Sequence, residues 1–229
     1  MALYDRDYTT TQEMGYIQEV ASVGFMKKTY QLLAASMIAA AAGAYVTMPY
    51  AMAVLQYKWF IFGAELLVLF FGLSMSRGKP GLNLAMLFAF TFLTGVSLVP
   101  LLASLIGMGN GAVIGNAFLM TSVLFGALSL FAINSKTDFS SWGKPLFITL
   151  IVVIIASLVN YFLLQSPMMH IFITAGVLLL FGFFTIYDTQ NIANGAYDSP
   201  VDAAVSLYID FLNMFTALLQ LLGIFGSDD

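Results

Sequence analysis

Residues 187–213 read YDTQNIANGAYDSPVDAAVSLYIDFLN, with one aspartate near each end, Asp188 and Asp210. Each lies at or inside a strongly apolar run, where a carboxylate is costly to place. The runs on either side, Met168–Tyr187 and Ala203–Phe225, are each close to the ~20 apolar residues that a membrane-crossing helix needs. The stretch therefore reads as the hairpin between two spans, and the question is why it keeps two acids.

The rest of the chain agrees with that reading. Of its 229 residues, 60% are hydrophobic and 9% are charged, against about 25% charged in a soluble domain. Five further apolar runs precede the hairpin: Tyr30–Tyr50, Trp59–Ser76, Leu84–Ile106, Ala112–Ile133 and Pro145–Leu164. The expected architecture is all-α and polytopic, with seven transmembrane helices. Residues 1–29 form an N-terminal segment and residues 30–229 the transmembrane domain. The joints, among them LQYK, GMGNG and QSPM, leave no room for a soluble domain. No run alternates as a membrane β-strand would. Within the N-terminal segment, Ile17, Val20, Ala21, Gly24 and Phe25 share one helical face, which predicts a short interfacial helix over Thr11–Lys28.

Basic residues orient the bundle. Arg6, Lys27, Lys28, Arg77, Lys79, Lys136 and Lys144 fall on one side of the expected spans, and Lys58 falls on the other. The N-terminus is thus expected in the cytoplasm and the terminal GSDD outside, unless a half-inserted last segment returns it. The opening residues are polar and mixed in charge, so no cleavable signal peptide is expected, and no lipidation box is present.

Composition also narrows the chemistry. A net charge of −4 gives no reason to expect nucleic-acid binding. With no cysteine and a single histidine, His170, thiol catalysis and histidine-based zinc or triad sites drop out. No cofactor is expected. GMGNG lacks the strand, helix and lysine of a phosphate loop. A diaspartyl membrane protease would also carry two intramembrane aspartates, but YIDFLN lacks the Gly-x-Gly-Asp pattern of such enzymes. The chain is expected not to be an enzyme.

The polar residues inside the spans are the candidates for function. Spans six and seven are joined by a short loop, so Asp188 and Asp210 are expected to face each other in the cytoplasmic half of the bundle. Two carboxylates meeting in a low dielectric do not both ionise cheaply, so such a pair shares a proton or holds a hard cation such as Ca²⁺ in passing. The bland alternative for Asp188 is to cap the helix end at TQNIANG. Asn213 lies one turn beyond Asp210 on the same face. Glu65, about 9 Å inside the outer end of span two, is either a snorkelling carboxylate or a pathway ligand. Arg77, one of two arginines, is either a membrane anchor or a guanidinium latch on a carboxylate. Asn116 and Asn160 are read as interhelical hydrogen bonds, and His170 as an interface residue. Ala34–Ser36, the small run Ala39–Ala44 and the Gly111-x-x-x-Gly115 pair are material for close helix packing. Pro100 is expected to kink span three or open a turn of it.

FTIYDTQNIANG at the end of span six and SLYIDFLNMFTALLQLLG in span seven resemble the transmembrane Bax inhibitor motif (Bax inhibitor-1-like) family in its bacterial branch. KKTYQLLAASMIAAAAGAY in span one is similar too. The resemblance implies seven helices with a central C-terminal helix, in the cell (inner) membrane. It also implies a pH-sensitive calcium leak gated by an aspartate pair, here Asp188 and Asp210. It further implies an arginine latch, with Arg77 as the candidate, and an acidic residue near the ion entry, Glu65. Another bacterial branch implies an alternative: a modulator or partner of a membrane-embedded ATP-dependent protease in a stress response, without transport of its own.

Overall fold

The computed structural model describes the backbone of residues 4–225 and the side chains of residues 22–224. The terminal GSDD, and with it the expectation that it lies outside, falls beyond the described residues. Seven helical segments are long and apolar enough to cross a membrane: Ser22–Gln56, Lys58–Ser76, Pro80–Gly107, Ala112–Asn134, Ser140–Leu164, Pro167–Ala193 and Pro200–Ile224. These are spans one to seven below. Large apolar side chains such as Phe60, Phe70, Leu119 and Phe172 stand exposed on them, as they do where the surrounding solvent is acyl chain.

Span seven is the axis of the bundle. Half of its most apolar stretch is buried, against 11% for each of spans two and five. It packs against spans one, three, four and six, while span two leans on span three and span five on span six. The apolar core accordingly centres on Leu207, Met214 and Leu219, all fully buried.

The crossing of spans one and three is set by two glycines. A Cβ on Gly43 would run into the carbonyl of Phe92, and a Cβ on Gly95 into the carbonyl of Ala40. Each helix therefore opens a notch for the other's backbone, the close approach that small residues permit in lipid. The small run in span one supplies its half of this contact, as expected. Gly111 and Gly115 do not act alike: a Cβ on Gly115 would meet nothing within 4 Å, and one on Gly111 only an ordinary contact with Ile106 at 3.7 Å.

Several boundaries differ from the sequence expectation. The first helix is continuous from Tyr4 to Thr47, about 66 Å at 1.5 Å per residue, so the segment expected as a separate interfacial helix is its leading part. Pro100 sits inside an unbroken helix, Pro80–Gly107. Two wide π-turns interrupt span two at Val68–Gly72 and span five at Asn160–Leu164. Span six runs on past Tyr187 to Ala193. It closes there with the amide of Gly195 on the carbonyl of Ile192 (3.1 Å) and that of Ala196 on Asn191 (2.9 Å). Gly195 adopts φ 74° to allow this. Ser199 then caps span seven, its Oγ accepting from the amide of Val201 at 3.1 Å, with Pro200 in the first turn.

Gly95→Ala is expected to destabilise the protein by about 1–3 kcal/mol through overpacking, lowering its thermal midpoint in detergent. Gly115→Ala, which meets open space, is expected to leave stability unchanged or raise it by up to about 1 kcal/mol.

Candidate functional site

Successive residues on a helix point about 100° apart, and the four residues Tyr187–Gln190 use this to reach four different neighbours. The Tyr187 hydroxyl packs on Gly143 at the start of span five, so closely that a Cβ there would lie 2.6 Å from it. Thr189 Oγ1 donates to Ser129 Oγ of span four at 3.3 Å. Gln190 holds the loop between spans four and five: its Oε1 accepts from the amide of Phe139 (2.6 Å) and its Nε2 donates to the carbonyl of Thr137 (2.8 Å). Asp188 turns the remaining way, toward span seven.

There it meets Asp210. The two carboxyl groups lie side by side, close enough to interact directly, and a proton on either one would let them hydrogen-bond each other. Asp188 is 8% exposed and Asp210 2%. Asp188 is a full turn inside its helix, so it does not cap the helix end. It accepts instead from the hydroxyl of Tyr197 at 3.0 Å, on Oδ1. Ser206 Oγ stands 3.0 Å from the same hydroxyl. Burial, followed by the neighbouring charge of Asp188, pushes the Tyr197 phenol above its ordinary pKa, so it keeps its proton and remains a donor. Asp210 Oδ2 has no hydrogen-bond partner.

Tyr197 was not singled out from the sequence. The signal was present in ANGAYDSP, where a phenol stands in a short turn between two acid-bearing helices. The turn closes tightly enough at Gly195 and Ser199 to fold that ring back over the pair.

The other expected residues lie apart from the pair. Arg77 Nε lies 3.2 Å from Asp202 Oδ2, in the first turn of span seven, and does not reach Asp188 or Asp210. Its side chain is 68% exposed, so the bridge contributes at most about 1 kcal/mol. It still ties the end of span two to the start of the central helix. Glu65 is buried and accepts a hydrogen bond from Ser97 Oγ of span three. Nearby, Tyr208 hydrogen-bonds Thr94, so span three offers a polar stripe at Thr91, Thr94 and Ser97. Asn213 donates to the carbonyl of Ile209 at 2.8 Å and not to either aspartate. Asn160 of span five bonds the backbone of Ser166, the N-cap residue of span six, and so ties the two spans at their joint, whereas Asn116 is exposed.

A cavity of about 620 Å³ enters from the end of the bundle that carries Lys58 and His170. Ser97, Thr216 and Asn213 line its deep part. Asp210, one turn past Asn213, is not among its lining residues. Among the described residues no group of three or more His, Cys, Asp or Glu side chains is placed to hold a metal ion. Two carboxylates alone are far short of the 6–8 oxygens of a resident Ca²⁺ site.

A family described as "Inhibitor of apoptosis-promoting Bax1" matches residues 23–227. An uncharacterized protein of Helicobacter pylori J99 is 48% identical over the full length of both chains. The inner membrane protein YbhL of Escherichia coli K12 is 32% identical over 69% of this chain and 70% of its own. The modulator of FtsH protease YccA, from the same strain, is 35% identical over 62% of this chain and 64% of its own.

Gln190→Ala would strand a buried amide and a carbonyl at a cost of about 1–3 kcal/mol. Hydrogen exchange at the Phe139 amide is expected to accelerate, with the spans themselves unchanged.

Proposed function

The chain belongs to this Bax inhibitor-1-like transmembrane family, and from that premise we propose that it is a pH-sensitive cation leak, with Ca²⁺ as the permeant ion. The reading is carried by one observation: two buried carboxyl groups lie side by side across spans six and seven, one turn from Asn213 in the lining of an open vestibule. In the proposed orientation the N-terminus is cytoplasmic and the vestibule faces outward, following the basic residues.

The mechanism follows from the proton between the carboxyls. While it is shared, it holds the two spans together and the packed core between them stays closed. When it leaves, two like charges face each other in a low dielectric and repel. The spans separate, and a two-state arrangement around the central helix shifts. A cation entering the vestibule would pass Ser97 and the Glu65 behind it, then Asn213, then the aspartates. The pair offers hard oxygens for transit and too few for tight retention, as a conducting path requires. The Arg77–Asp202 bridge would act as the latch, holding the base of span seven against span two.

Ca²⁺ flux into liposomes holding the purified protein is expected to vary severalfold across pH 5–8. Asp188→Asn and Asp210→Asn are expected to remove that variation. Flux that stays pH-dependent in Asp210→Asn would refute the mechanism. Tyr197→Phe removes the hydrogen bond that Asp188 accepts and is expected to shift the midpoint of the response.

A second reading is favoured by the similarity to the protease modulator: this chain would regulate a membrane protease without conducting ions. It would yield a stoichiometric protease partner in a pull-down from native membranes, together with no flux at any pH.

A further inference from the structure

The vestibule has a wall that an aqueous funnel does not need. On one side stand Trp59 and Phe62 of span two, on the other Leu158, Tyr161 and Phe162 of span five. All five are largely exposed, Phe62 at 49% and Tyr161 at 56%. Spans two and five are the two peripheral spans, so the gap between them faces the bilayer and not the bundle. A cavity with apolar walls that opens sideways in a membrane is filled by what surrounds it.

The mouth of the same cavity holds one lysine. Lys58 Nζ lies 5.5 Å from the Trp59 ring centroid and 5.9 Å from that of Tyr161. It therefore reaches from span two across the gap to span five. Among the described residues the ion pair is Arg77–Asp202, and no carboxylate is paired with Lys58. An ammonium poised at headgroup level above an apolar slot is complementary to a phosphate with an acyl chain attached.

We propose that this cavity binds one anionic phospholipid, with its phosphate on Lys58 and an acyl chain lying between Phe62 and Leu158. The inference does not rest on the transport reading, since it concerns occupancy and not flux. It has a consequence for that reading. Lys58 is a positive charge at the mouth of a proposed cation path, and a bound phosphate neutralises it. The lipid would convert a mouth that repels cations into one that admits them.

The test uses delipidated full-length protein in mild detergent, titrated with phosphatidylglycerol or phosphatidylcholine and read by native mass spectrometry. One phosphatidylglycerol is expected to be retained, preferred about fivefold over phosphatidylcholine, the worth of one lysine near an anionic surface. Lys58→Gln, at an exposed position, is expected to abolish the preference, and Lys58→Arg to keep it. Ser157→Trp, which fills the cavity, is expected to abolish retention of either lipid. Retention unaffected by both Lys58→Gln and Ser157→Trp would mean ordinary annular lipid and overturn the proposal. So would displacement of the lipid by inorganic phosphate alone, which would mark a site for a free anion, and so would no retention at excess phosphatidylglycerol.

Discussion

Two carboxyl groups meet where the central helix packs against its neighbour, and much of the local architecture surrounds that contact. Among the described residues neither partner is ion-paired with a basic side chain, and Asp210 Oδ2 accepts no hydrogen bond. In a protein interior, such a pair persists only while a proton is shared. The surrounding structure limits the alternatives. Tyr197 occupies one oxygen of Asp188, and the turn at Gly195 keeps Tyr197 in place.

The same four residues that carry the acid also fix the frame around it. Tyr187, Thr189 and Gln190 secure span six to spans five and four and to the loop between them. Span six is therefore held on three sides by packing and hydrogen bonds, and on the fourth it meets the central helix through the carboxyl pair. A change in the pair would be felt chiefly by span seven. That span is bridged to span two through Asp202 and is surrounded by four others. A two-state element biased by one proton is the form such switches take.

Much of this was legible from the residues alone. Apolar runs of sufficient length gave seven spans, because a membrane imposes length and hydropathy more strictly than any fold imposes sequence. The facing aspartates followed from a short loop joining two acid-bearing helices. What failed to show had physical reasons. Apolarity ends before a helix does, so span six was cut short at Tyr187 and Asp188 was placed at its end. The crossing at Gly43 and Gly95 depends on which faces meet, which composition does not report; of the more conspicuous pair, Gly115 faces open space and Gly111 meets only an ordinary contact. Arg77 was free in sequence to reach any carboxylate on its side, and geometry gave it Asp202. Tyr197 lay in a loop, where periodicity is silent.

The shared proton is the claim on which the rest depends, and infrared spectroscopy reads it directly. The purified protein in lipid is titrated from pH 5 to 8 while the carbonyl stretch of protonated carboxylic acids is followed. A protonated-carboxyl band that is present at low pH, fades as pH rises, and is altered by either Asp188→Asn or Asp210→Asn would establish the pair as one titrating unit. A spectrum with no such band, or one indifferent to both substitutions, would contradict it.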